Sequence, residues 1–230
     1  MRSMKILLVC GALFLLALAS CGSMPHVLYG KRIAGQVVDA GTGQPIPGVH
    51  VAYVWESTVI PRGFTGHNSQ TICYHAAAAM TDATGHFQIE PWREWSTYGV
   101  EVADPNALVY ARDYQPRQIS LHEGPIEPPR ERLHEHYELK RFSGTVDERL
   151  DAMWGGIANR GCMYGKESQK SLFPMLKDIY AEARSIATTD KQKHIVRTVA
   201  ELAADAALAT DPNRSSNDAQ VQTFIREQLK

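Results

Sequence analysis

The character of the chain changes near Phe142, and that switch constrains its fold more than any other feature. From Tyr29 to Arg141, short β-branched and aromatic runs alternate with Gly, Pro and Asn, the pattern of an antiparallel sandwich. From Thr145 onward, Ala, Leu, Glu, Gln and Lys recur at helical spacing. The expected fold class is mainly β plus α: a β region at 29–141, then a helical C-terminal segment at 142–230. A chain of 230 residues is long enough for one large domain or two small ones.

The β region opens with Ile33-Ala34-Gly35-Gln36-Val37-Val38-Asp39, then Thr42-Gly43-Gln44-Pro45-Ile46-Pro47-Gly48 and His50-Val51-Ala52-Tyr53-Val54-Trp55. Gly41 and Gly43 suit a hairpin that needs positive φ, and Pro45 and Pro47 fit only where no ladder hydrogen bond is required. Thr81-Asp82-Ala83-Thr84-Gly85-His86-Phe87 reads as a second polar turn, with glycine entering a strand. In order, these segments spell G-x-V-x-D, T-G-x-P-I-x-G and T-D-x-x-G-x-F, and they resemble the carboxypeptidase regulatory-like domain. Tyr110 to Pro116 and His136 to Lys140 fit the later part of that pattern. The resemblance covers about half of the chain and implies a seven-stranded, transthyretin-like sandwich. It implies no chemistry, because the zinc-bearing carboxypeptidase domain is a separate unit in such proteins. No H-x-x-E, H-E-x-x-H or C-x-x-C occurs in this sequence. Two long irregular stretches, Ser57 to Gln70 and His122 to Arg132, are the candidate binding loops.

In the second half, Thr145-Val146-Asp147-Glu148 forms a capping box. Val146, Leu150, Met153, Trp154 and Ile157 follow as an apolar stripe. A second helix is expected to begin between Ser168 and Ser171, with Pro174 in its first turn and Leu172, Leu176, Ile179, Tyr180, Ala183 and Ile186 inward. Thr189 or Asp190 caps a third, carrying Ile195, Val196, Val199, Leu202 and Ala206, which Pro212 ends. A last helix is expected from about Ser216, with Val221, Phe224 and Ile225 inward. These helices either form a small bundle or lie against the sandwich.

The N-terminus carries an address. Arg2 and Lys5 precede an uncharged run from Ile6 to Ala19, shorter than the roughly 20 residues of a spanning helix. The run ends in Leu18-Ala19-Ser20-Cys21, which resembles the lipobox of bacterial lipoproteins. That likeness implies a signal peptide at 1–20, cleavage before Cys21, a diacylglycerol on its sulfur and a further acyl chain such as palmitate on its amine. Residues 21–28 then form a lipidated linker. One chain binds membranes marginally, at roughly 0.8 kcal/mol per buried methylene, whereas two or three anchor stably. Gly22 stands where an Asp would favour inner-membrane retention, which implies the outer membrane, facing the periplasm. An ordinary secretory leader, or an uncleaved signal anchor, is the alternative reading of the same run.

Loss of Arg2 and Lys5 with the leader leaves 22 basic against 25 acidic side chains, a formal charge of −3. Lys31-Arg32 and Arg130 to Arg132 are short, and no basic block marks a nucleic-acid surface. Of four cysteines, Cys10 leaves with the leader and Cys21 is committed to lipid, so Cys73 and Cys162 are left to pair in an oxidising compartment or to stay as free buried thiols.

His134 and His136 sit two apart on a strand and can point at one metal, although no third ligand is identifiable. Trp92, Trp95 and Tyr98 are candidates for an aromatic platform binding sugar or peptide, or else for core. Cys73 beside Tyr74-His75 suggests a nucleophilic pair, but the cysteine is better used in a disulfide. Gly161 to Lys166 is one residue short of a phosphate loop. The expected function is a non-catalytic envelope lipoprotein, membrane-bound through Cys21 and acting as a binding or assembly module for an envelope protein, with no cofactor implied. The alternatives are a metal-dependent, cell-wall-directed accessory enzyme using His134 and His136, and a passive structural spacer.

Overall fold

A computed structural model of the protein describes residues 26–59, 70–96, 105–120, 132–155, 167–208 and 219–229. These fold into β and α elements with the helices C-terminal: nine strands in three sheets and four α-helices among the described residues. The chain divides into two compact units.

The smaller unit contains a two-stranded antiparallel ribbon of β1 (His26–Gly30) and β6 (Trp92–Ser96). The Trp92 indole lies so close over Gly30 that a Cβ there would meet the ring at 2.0 Å, so this crossing admits only glycine.

The larger unit holds the other seven strands and all the helices. One sheet has the order β5-β2-β9, built from β2 (Arg32–Asp39), β5 (His86–Ile89) and β9 (Arg132–Leu139), with β2 and β9 parallel. The other has the order β4-β3-β7-β8, from β3 (His50–Val59), β4 (Gln70–Met80), β7 (Asn106–Tyr110) and β8 (Arg117–Ser120), all antiparallel. Side chains of the two sheets meet at Tyr53 of β3, which packs against Phe87 of β5 and shares a 2.6 Å hydrogen bond with the Tyr137 hydroxyl of β9; Phe87 and Tyr137, in the same sheet, stack at 5.9 Å between ring centres. Burial holds both phenols above their ordinary range, so they stay neutral.

The four-stranded sheet is covered on its second face too. Ala52 and Val54 of β3, Cys73 and Ala76 of β4, and Leu108 and Tyr110 of β7 share one core with the helices, so every residue of β7 is buried. These are α1 (Val146–Met153), a 3-10 turn (Glu167–Leu172), α2 (Phe173–Ile186), α3 (Asp190–Ala207) and α4 (Ala219–Gln228). Of the two expected arrangements, the helices take the one against the sheet.

The local signals act as expected at several termini. Thr145 and Thr189 cap α1 and α3 through full capping boxes with Glu148 and Gln192, and Pro174 lies in the first turn of α2. Other expectations shift. A 3-10 turn occupies Ser168 to Ser171, so the second α-helix starts at Phe173. The last helix begins at Ala219; Ser216, Pro212 and Ile157 lie outside the described residues. Val146 is 42 % exposed, because it opens the first turn before the stripe reaches the sheet. Gly43 has the expected positive φ of 69°, but Gly41 does not, and its N–H instead binds the Asp39 carboxylate at 2.9 Å. Of the two stretches expected to be irregular, Ser57 to Val59 extend β3, Gln70 starts β4 and Arg132 starts β9; residues 60–69 and 121–131 lie outside the described ones.

Candidate functional site

A buried polar cluster lies where α1 and α2 meet β3 and β7. Glu182, one turn beyond Ile179 on the buried face of α2, accepts from Arg149 Nε at 2.7 Å and from its Nη2 at 2.9 Å. Both side chains are nearly sequestered from water, so the fork-to-fork geometry is what makes their burial tolerable. Arg149 also donates to the Tyr114 and Ala111 carbonyls and lies over the Phe142 ring. The Tyr110 hydroxyl donates to Glu182 at 2.6 Å, and burial, then this acceptor, push its pKa up so that it stays protonated. His50 stacks on Tyr110 and binds Asp178 at 2.7 Å. The cluster's donors and acceptors are directed at one another across four elements, α1, α2, β3 and β7, the geometry of a clasp.

A second network ties the first turn to the end of the β region. Asp39 accepts from the Tyr114 hydroxyl at 2.8 Å and from the Gly41 and Thr42 amides, and Arg141 pairs with it at 3.3 Å. These contacts, the Tyr114 bond first, hold its carboxyl below the ordinary range. Asp82 in the second turn accepts from Thr84 and the His86 amide and is lowered in the same way. Beside that turn lies an open concavity of about 360 Å³, lined by Gly35, Met80, Asp82, His86 and Gln88 among others.

The residues singled out from sequence are dispersed. His134 and His136 lie on β9 opposite Ala34 and Gln36, and the His136 side chain is exposed. Among the described residues, no three His, Cys, Asp or Glu side chains gather as a metal site. Trp92 is 8 % exposed and Trp95 is 74 % exposed; three apart on β6, they face opposite sides of the ribbon. Tyr98, Cys21, Cys162 and the segment from Gly161 to Lys166 lie outside the described residues. Tyr74 is the extra residue of a β-bulge opposite Trp55 and Glu56, and the His75 ring packs edge-on against Trp55. Cys73 is buried on β4. The ribbon carries exposed apolar groups on one side: Trp95 opposite Val27, with Tyr29 opposite Arg93.

No family model matches the chain, and no curated protein does. Among solved structures it is similar to 3-chlorocatechol 1,2-dioxygenase from Rhodococcus opacus 1CP at 12 % identity and a TM-score of 0.29, over 53 % of this chain and 62 % of that one. It is also similar to a 9R-lipoxygenase from Cyanothece PCC8801 at 13 % identity and a TM-score of 0.29, over 73 % of this chain and 24 % of that one. The chain thus spans less than two thirds of either, and likenesses this distant carry no functional argument.

The clasp was not visible from sequence reading alone. Its signal was present: Glu182 interrupts the apolar stripe of Leu176, Ile179 and Ala183, and a charge on a buried helix face requires a partner.

Proposed function

We propose that this chain is a non-catalytic cell-envelope lipoprotein, a folded body tethered through acylated Cys21 that serves as a binding or assembly module for an envelope partner. The observation that carries the reading is the placement of the lipobox: Cys21 precedes the first strand, His26–Gly30, by only five residues, so the tether runs straight into ordered structure. The Arg149, Glu182 and Tyr110 groups that a catalytic site would recruit are committed to holding helices on a sheet, which favours a binding role over a chemical one.

The body itself is read as a transthyretin-like sandwich of the carboxypeptidase regulatory-like type. Support comes from two sheets of three and four strands that meet through Tyr53 against Phe87 and Tyr137, and from the conformational demands that the motif glycines meet. Gly35 leaves no room for a Cβ, which would meet the Glu135 carbonyl at 2.4 Å, and Gly85 has φ of 74° against the Val37 carbonyl. The ribbon and the helical layer are additions to that plan.

Cys73 is read as paired with Cys162. The Ser168 hydroxyl accepts from the Ala76 amide at 3.2 Å, three residues from Cys73, and six residues of chain reach at most about 20 Å, so Cys162 is within range. Delivery to the outer membrane, facing the periplasm, follows from Gly22 in this reading.

Metabolic labelling with palmitate tests the tether: wild-type protein should incorporate label and sediment with membranes, and Cys21→Ser should do neither. Label retained by the variant would refute the assignment. Cross-linking in intact cells tests the adaptor role, with one stoichiometric envelope protein expected; capture of no protein above background would count against it.

A further inference from the structure

We infer that the exposed side of the β1 and β6 ribbon is a membrane-contact surface that lies against the phospholipid headgroups beside the acylated cysteine. The proposal rests on the Cys21 anchor proposed above and adds a second point of contact. Val27 and Trp95 are cross-strand partners, as are Tyr29 and Arg93, and strand alternation puts all four on one side of the ribbon. Trp95 is 74 % exposed, Tyr29 60 % and Val27 43 %. A contiguous aromatic and aliphatic patch of this kind marks a docking surface.

What covers it is set by chain length. Five residues from Cys21 to His26 span at most about 18 Å. Acyl chains seated in the bilayer therefore hold this patch close to the headgroup zone, which is itself several Å deep. The chemistry matches that zone. Trp and Tyr are the residues enriched at membrane interfaces, since their rings pair an apolar body with a polar edge, and Arg93 supplies a cation for anionic headgroups. The ribbon thus orients the tethered body instead of leaving it to rotate on a lipidated leash.

The test uses the full mature protein purified from membranes and reconstituted into phosphatidylethanolamine and phosphatidylglycerol vesicles, with and without brominated acyl chains. Intact mass reports acylation and tryptophan quenching reports the ribbon. Acylated wild-type protein should be quenched by the brominated lipid, and acylated Trp95→Phe should lose most of that quenching while keeping the wild-type circular dichroism and melting midpoint. A second variant, Arg93→Glu, should show weaker quenching that no longer increases with phosphatidylglycerol content. Acylated protein whose emission ignores the brominated chains, or whose quenching survives Trp95→Phe, overturns the ribbon contact alone. A mass without acyl chains overturns the anchor reading and the present proposal with it.

Discussion

Burying Arg149 and Glu182 removes two full charges from water, a cost that only their bidentate contact and the added Tyr110 and carbonyl hydrogen bonds offset. Removing one partner is therefore far worse than removing both. Glu182→Gln should destabilise by about 3–5 kcal/mol, read as a fall in urea midpoint, whereas Arg149→Met with Glu182→Leu should keep most of the stability. A single-variant loss under about 1 kcal/mol would show that the clasp holds nothing. Asp39 behaves differently because its carboxyl is held below its ordinary 3.8 by Tyr114 and the Gly41 amide. A lowered folded-state pKa means that the unfolded chain binds the proton more readily. The stability it contributes is thus full above about 4 and fades as pH falls through the folded value. Asp39→Asn should be less stable than wild type at neutral pH, and the two denaturation midpoints should converge toward pH 2. A constant gap between them across that range would show that Asp39 is not the titrating group.

At the scale of elements, caps and glycines were legible in the sequence because their causes are local. Thr145 with Glu148, and Thr189 with Gln192, close hydrogen bonds within one helical turn, and Gly85 answers to its own φ. What was not legible depends on distant partners. Ala76 to Ala79 have high helix propensity, yet they form an edge strand, since small side chains let the 3-10 turn approach and Ser168 and Ser171 satisfy the Ala76 amide and carbonyl. The pairing of Arg149 with Glu182 spans 33 residues and has no local spacing rule. The same edge strand carries Cys73, and the proposed bond from it to Cys162 would close a long loop, worth up to about 4 kcal/mol in the chain-entropy account. Reductant should lower the urea midpoint of wild type by the same amount as Cys162→Ala, and it should leave that variant unchanged. A variant that still responds to reductant would exclude the pairing.

Over the whole molecule, the consequential fact is that the four-stranded sheet has two buried faces. Ala52, Val54 and Leu108 have no solvent role; they are the floor on which α2 and α3 rest. The β region is consequently not self-sufficient, despite a sequence boundary at Phe142 that looks like a domain border. A chain ending at Arg141 should aggregate or bind hydrophobic dye, and a monomeric truncation with a cooperative melt would contradict the shared core. The strong sequence break thus reflects a change of secondary structure within one core, whereas the division in the structure separates the ribbon strands His26–Gly30 and Trp92–Ser96 from the larger unit. The proposed lipid anchor at Cys21 is tested most directly by the intact mass of detergent-extracted protein. It predicts a chain beginning at Cys21 with the added mass of a diacylglycerol and a further acyl chain; a mass equal to the unmodified 230-residue chain, or to an acyl-free shorter one, would contradict it.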